Sequence, residues 1–330
     1  MLPYETVKRE VLVKKKSKTS QNFGCYPESR SAEDLITYGI INVDKPKGPT
    51  SHHVSAYVQQ ILGITKSGHS GTLDPKVTGV LPIALGRGTR IVQGLLNQGK
   101  EYVCVMHLHK SIEHVIIRNS VKHLLGKIIQ LPPKKSAVKR VEREREIYHL
   151  DILEIKDNDV LFIVGCQAGT YIRKYCHDWG RLLSCGAHMA ELRRTKAAGF
   201  CEIDSKTLLD VQDAFWFYKN EGNEKYLRDV ILPVEEAVAT IPKVWVFDSS
   251  VETLCHGMNL NAPGVSLLDS GIETGDTVAV MTLKNELVGL GVAALNSEQI
   301  LHTDRGICVK MNKIFMQFGT YPRIYKDEEN

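Results

Sequence analysis

No apolar run in the 330 residues approaches the ~20 that a helix needs to cross a membrane. Met1–Arg9 also lacks the hydrophobic segment of a secretory leader. The expectation is a protein neither embedded in a membrane nor exported. The eight cysteines include no C-x-x-C pair, which removes zinc ribbons and dithiol redox motifs. Cys176-His177 and Cys185-x-x-His188 come nearest to a metal cluster, but both fall in a stretch that reads as helix, where cysteine behaves as a small hydrophobe. No metal site is expected, and reduced, buried thiols point to the cytoplasm. Gly63 to Gly68 has the opening spacing of a phosphate loop, yet His69-Ser70 stands where Lys-Ser/Thr is required. With no G-x-G-x-x-G after a strand and no H-E-x-x-H, no cofactor is expected either.

Net charge is only +4, and its distribution says more than its size. Residues 1–24 carry Lys8, Arg9, Lys14, Lys15, Lys16 and Lys18 against Glu5 and Glu10. Residues 134–145 carry Lys134, Lys135, Lys139, Arg140, Arg143 and Arg145 against Glu142 and Glu144. Two basic runs on a nearly neutral chain fit a polyanion that meets particular surfaces. They equally fit a solvated tail and a solvated strand face, and charge alone does not choose.

At roughly 150 residues per domain the length predicts two domains. Residues 1–35 read as a basic N-terminal arm. Residues 36–240 interleave helix and strand without the rhythm of a parallel sheet, so the fold class is α+β. Ile40 to Val43 reads as a strand, and Thr50 or Ser51 caps a helix with Val54, Tyr57, Val58, Ile61 and Leu62 on one face. Tyr102, Cys104, Met106 and Leu108 alternate with their neighbours as in a strand. Gly169 to Arg173 opens a helix whose predicted buried face is Ile172, Tyr175, Trp179, Leu182 and Leu183. From residue 241 to 322 short strands between Gly and Asp turns predict a small barrel-like β-domain, followed by a short tail, 323–330.

The densest group of unusual residues is Gly68-His69-Ser70-Gly71-Thr72-Leu73-Asp74-Pro75-Lys76-Val77-Thr78-Gly79. So many glycines and a proline prescribe a specific loop. Its one carboxylate, Asp74, is expected to be partly desolvated by Leu73 and Pro75, and then needs a cation to stay ionised. Arg173, at a helix start, is the candidate. The alternative is an Asx-turn in which Asp74 merely bonds the loop backbone.

That loop resembles the catalytic loop of the pseudouridine synthases related to the bacterial tRNA pseudouridine-55 enzyme and to dyskerin. Asn42 to Ser51 is similar to the family's N-terminal motif and Lys100-Glu101-Tyr102 to its tyrosine motif. Gly169 to Arg173 and Gly186 to Arg194 match its remaining blocks in order, and the likeness runs from about residue 36 to 322. It implies a mixed, largely antiparallel catalytic domain followed by a PUA domain, and isomerisation of uridine in RNA without cofactor or metal. Asp74 would be the essential aspartate and Arg173 the arginine that keeps it ionised. Tyr102 would stack on the flipped base and help remove its C5 proton. His69 would help extrude the uridine, Tyr171 and Leu192 would line the pocket, and Lys45 would brace the loop. Taking a base out of folded RNA costs a few kcal/mol, of which an aromatic face recovers roughly 1–3.

In the same light Lys139 and Arg140 become phosphate contacts beside the RNA cleft. Within the family the chain resembles the archaeal dyskerin type more than the bacterial one. The resemblance then implies an H/ACA guide RNA, an rRNA or tRNA substrate, small Gar-type and Nop-type proteins, and a kink-turn-binding ribosomal-type protein. A stand-alone tRNA pseudouridine-55 synthase and a non-catalytic RNA-binding scaffold are the competing readings.

Overall fold

A computed structural model describes residues 1–132 and 139–323. Lys134 and Lys135 of the second basic run, and the tail beyond Arg323, lie outside the described residues. The chain divides into two compact units. One takes Met1–Val7, Ile41–Leu85 and Ile91–Ile231, the other Lys8–Ile40, Gly86–Arg90 and Leu232–Asn330.

The first unit is built on one sheet, with strands β1 (Gly39–Lys45), β2 (Ser67–His69), β3 (Thr78–Leu85), β4 (Lys100–Leu108), β5 (Gly126–Gln130), β6 (Arg143–Lys156), β7 (Asp159–Cys166) and β8 (Ala187–Ala197). The order is β1-β3-β8-β4-β7-β6-β5, with β2 paired to β3. Pairing is antiparallel at β4–β7, β4–β8, β6–β7 and β5–β6, and parallel where β3 meets β8. The sheet is therefore mixed and mostly antiparallel, in an α+β fold. Its middle strands bury what their sequences suggest: Cys104, Met106 and Leu108 on β4 face a core with Phe162 and Val164 of β7.

Helix α1 (Ser51–Leu62) starts where Thr50 Oγ1 accepts a hydrogen bond from His53 N at 3.1 Å and ends at Gly63 in the left-handed region. Helix α2 (Ile172–Leu182) buries Ile172, Tyr175, Cys176 and Trp179 against the sheet. The Trp179 ring meets Phe162 edge-on at 5.2 Å, and its indole donates to Ser120 Oγ at 2.7 Å. Leu182, predicted on the buried face, is exposed, while Trp179, Gly180 and Leu183 around it are buried.

The second departure is larger. The stretch from Cys176 to His188 is not one helix. Ser184 (φ 55°) and Gly186 (φ 72°) are left-handed, the chain turns back there, and Ala187 to Ala197 is a strand. His188 thus sits on the sheet, away from the helical environment in which it was read.

In the second unit the sheet order is Val11–Val13, Val265–Asp269, Lys243–Val246, Thr277–Thr282, Leu287–Ala293, Ile307–Ile314 and Leu260–Asn261. Val11, Leu12 and Val13 of the polar N-terminal stretch pair with Asp269, Leu268 and Leu267. Lys14, counted in a basic run, is committed to structure: its ammonium donates to Ile300 O at 2.6 Å and to Thr303 O, at the end of the Ser297–His302 helix. Positive charge at a helix C-terminus is favourable there. Among the described residues no helix is long and apolar enough to cross a membrane.

One glycine joins fold to site. Gly79 (φ +101°) lies opposite Arg194 where β3 meets β8, and a Cβ there would fall 2.2 Å from the Arg194 carbonyl oxygen. Gly79→Ala should therefore lower stability by roughly 3 kcal/mol, combining an unfavourable φ with overpacking. A shifted urea midpoint checks this, and an unchanged midpoint contradicts it.

Candidate active site

The Gly68 to Gly79 segment links β2 to β3 and is held from beneath at several points. Lys45, at the end of β1, is fully buried. Its ammonium donates to Pro46 O at 2.9 Å, Val77 O at 2.8 Å and Pro75 O at 3.3 Å. Ser51, the first residue of α1, accepts from Leu73 N at 2.8 Å and donates to Leu73 O at 3.2 Å. Gly48 N donates to Pro75 O at 2.8 Å, and Val77 N to Asp74 O at 3.0 Å. Burial lowers the Lys45 pKa, and the nearby Asp74 charge works against that shift.

Asp74 stands at the tip of this braced loop. Its Oδ2 forms an ion pair with Nη2 of Arg173, from the first turn of α2. The demand for a cation is met, across 99 residues of sequence. The expected desolvation is not: the two side chains are 54% and 60% exposed, because Leu73 turns down to Ser51 and Pro75 faces outward. The turn is closed by the backbone carbonyl of Asp74, leaving its carboxylate to Arg173. An exposed pair contributes at most about 1 kcal/mol to stability. Its consequence is geometric: one carboxylate is kept in one orientation.

Arg173 is aimed by the loop that feeds α2. Gly169 (φ +80°) lets the backbone pass the Arg145 guanidinium, which would lie 3.2 Å from an added Cβ. Tyr171 N donates to Gln130 Oε1 at 3.0 Å, and Gln130 Nε2 donates back to Tyr171 O at 3.3 Å. Tyr102, half-buried on β4, lies opposite Arg194 of β8, and burial pushes its phenol pKa up. Leu192 lies opposite Cys104 and packs on the same core. His69 faces Ile83 across β2 and β3, and burial holds its imidazole below the ordinary value, so it is neutral at neutral pH.

Lys139 and Arg140 are exposed. Arg140 Nε donates to Pro132 O at 3.3 Å, and neither residue has a hydrogen bond or ion pair to the other candidates among the described residues. Two residues were overlooked. Arg194 is buried and donates from Nε to Val80 O at 2.7 Å. Lys100 is buried at the start of β4 and donates to the carbonyls of Leu95, Leu96 and Gln98 at 3.3, 2.7 and 2.7 Å. Strand parity would have found Arg194: on one strand it shares a face with Leu192, while Arg193 turns to Asp44 (2.9 Å) and Glu202. Among the described residues no group of three His, Cys, Asp or Glu side chains is placed to hold a metal ion. What the arrangement offers is a half-exposed carboxylate on a braced loop beside a guanidinium, with an aromatic ring on strand β4 of the same sheet.

Known proteins match this chain from end to end. Family models match in sequence: a DKCLD domain at residues 2–55, the N-terminal domain of TruB family pseudouridylate synthases at 59–172, the tRNA pseudouridylate synthase B C-terminal domain at 173–239, and a PUA domain at 242–315. A probable tRNA pseudouridine synthase B of Methanopyrus kandleri is 52% identical over 98% of this chain and 96% of its own length. That of Pyrococcus furiosus is 49% identical over 98% and 96%. Among solved structures, a Cbf5-Nop10-Gar1 complex has a chain 49% identical with a TM-score of 0.94, covering 98% of this chain and 99% of that one. An H/ACA ribonucleoprotein bound to a substrate RNA containing 2′-deoxyuridine has one 46% identical with a TM-score of 0.92, covering 98% and 100%.

Lys100 generates a pH prediction. Burial among carbonyls brings its pKa down from 10.5 to about 8. Between those values the unfolded chain holds a proton that the folded chain has released, so raising the pH favours the folded state through this group. Comparing unfolding of the protein and of Lys100→Met across that window should show the rise only with lysine present. Parallel curves would contradict it.

Proposed function

The chain belongs to the TruB-family pseudouridine synthases, with a PUA domain following the catalytic domain, and on that basis we propose that Asp74 is the group that engages the target uridine, at sites chosen by a guide RNA. The observation that carries the first part is the Asp74–Arg173 ion pair on a loop braced by Lys45 and Ser51. Isomerisation breaks the N1–C1′ bond, turns the uracil, joins C5 to C1′ and releases the C5 proton. Each stage needs a carboxylate fixed relative to the target nucleoside, and the Arg173 guanidinium holds it in one orientation.

Tyr102 stacks under the extruded base and stands near its C5 proton. His69 assists extrusion as a neutral imidazole, and Tyr171 and Leu192 wall the pocket. Lys139 and Arg140, exposed and without a carboxylate partner among the described residues, contact phosphates. We assign chemistry to residues 36–240, with the arm 1–35 and the PUA domain 241–322 serving RNA.

Guidance is supported by the relatives of known structure, which carry Nop10, Gar1 or substrate RNA at nearly half identity over almost the whole chain. The partners of this chain are then an H/ACA guide RNA, an rRNA or tRNA substrate, small Gar-type and Nop-type proteins and a kink-turn-binding protein. Eight free cysteines fit a reducing cytoplasm.

The test is tritium release from C5-labelled uridine in RNA. Release should require guide RNA and partner proteins and should vanish with Asp74→Ala while RNA binding persists. Equal release from bare tRNA would overturn guidance, and release by Asp74→Ala would overturn the role of the aspartate. Lys139→Ala and Arg140→Ala should each weaken binding and flatten the slope of log K against log salt by about one, leaving the saturated rate unchanged. A changed saturated rate would place them in the chemistry instead.

A further inference from the structure

Arg194 is only 1% exposed and lies where three parts of the site meet. Its Nε donates to Val80 O on β3 at 2.7 Å, and its Nη2 reaches Gly71 O, in the Asp74 loop, at 3.4 Å. Tyr102 of β4 is its direct cross-strand neighbour, and the guanidinium charge is felt at the phenol. Gly79 permits this placement, since only a residue without Cβ lets β3 close onto the Arg194 backbone. Gly71 is glycine for its backbone (φ +108°), since a Cβ there would meet the guanidinium only at an ordinary 3.7 Å.

The charge is unbalanced. Among the described residues Arg194 has no carboxylate partner, for Arg193 takes Asp44 and Glu202, and Arg173 takes Asp74. A guanidinium does not give up its proton in a protein, so a permanent positive charge is enclosed here. Enclosing an unpaired ion is strongly unfavourable, and two carbonyls offset it only in part. Of the side chains that feel its charge, Lys45, His69, Lys100 and Tyr102, only the Tyr102 phenol can become an anion.

We propose that Arg194 is a positioning residue, whose forked guanidinium ties the Gly71 carbonyl of the Asp74 loop to the ring of Tyr102 and so sets carboxylate and aromatic face in one frame around the target uridine. The proposal rests on Asp74 and Tyr102 flanking that uridine. The fork matters because its donors are rigidly spaced, whereas a lysine ammonium is a point charge. Coulomb attraction between guanidinium and phenolate also opposes the upward push that burial gives the Tyr102 pKa.

The experiment uses the full chain with its RNA, as wild type, Arg194→Met and Arg194→Lys. It reads RNA affinity, the single-turnover rate of pseudouridine formation, and the 19F titration of Tyr102 in 3-fluorotyrosine-labelled protein, assigned with Tyr102→Phe. Arg194→Met should lose roughly 100-fold in rate with affinity within about threefold, as expected for sub-ångström misplacement of reacting groups. Its Tyr102 titration midpoint should move to higher pH. Arg194→Lys should return that midpoint toward wild type but leave the rate at least about tenfold down, because charge returns without the fork.

A wild-type rate in either folded variant would overturn the proposal. So would a rate loss matched by an equal affinity loss with the Tyr102 signal unmoved, the mark of a merely structural role. Should Arg194→Met not fold, Arg194→Lys decides by its rate alone. An inactive wild type, or Tyr102→Phe at full rate, would instead strike the underlying reading of the site, and is distinguishable for that reason.

Discussion

The Asp74 carboxylate sits on an irregular loop with more than half of its surface open to solvent, and the rest of the site depends on what holds it still. Regular structure cannot hold it. The loop is fixed instead by the buried Lys45 ammonium, which gathers the carbonyls of Pro46, Pro75 and Val77, and by the Ser51 hydroxyl on both polar groups of Leu73. Orientation then comes from Arg173, whose helix is anchored by Tyr175 and Trp179 in the core. The ion pair adds little to stability, but it depends on two well-packed elements and carries their rigidity to the carboxylate.

The adjacent arginines of β8 divide labour by strand parity. Arg193 faces Asp44 and Glu202 and is neutralised by them, as a structural ion pair. Arg194 faces inward and is not. A sheet that mixes parallel and antiparallel pairing makes this possible, because the start of β3 lies parallel to β8 at Gly79 and brings the Asp74 loop over the inward side chain. The candidate site residues thereby gather where β3, β4 and β8 adjoin, while the exposed cations Lys139 and Arg140 lie on a separate stretch.

Much of this was legible in the sequence, for identifiable reasons. Arg173 was legible as the partner of Asp74, although the desolvation argued to require it is absent. Thr50 as a cap and the alternation on β4 were legible because capping and period-two burial are local. The strand at Ala187–Ala197 was not: Trp179 to Leu183 continues a helical period, and only the left-handed residues Ser184 and Gly186 reverse the chain. Val11–Val13 was hidden in a polar stretch, being a three-residue strand whose partner lies some 250 residues away. The exposure of Asp74 was misjudged because neighbours in sequence are not neighbours in space: Leu73 and Pro75 turn away. The burial of Arg194, at the end of the Gly186 to Arg194 block, has no local signal, since it lies beside Gly79, more than 100 residues earlier.

The central claim is that Asp74 and Arg173 act as one unit in the chemical step. A double-mutant cycle on the single-turnover rate, with Asp74→Ala, Arg173→Ala and both together, tests it most directly. The account predicts that each single variant loses turnover while still binding RNA, and that the double variant is no slower than Asp74→Ala alone. Arg173→Ala at the wild-type rate, or losses that simply add, would contradict it.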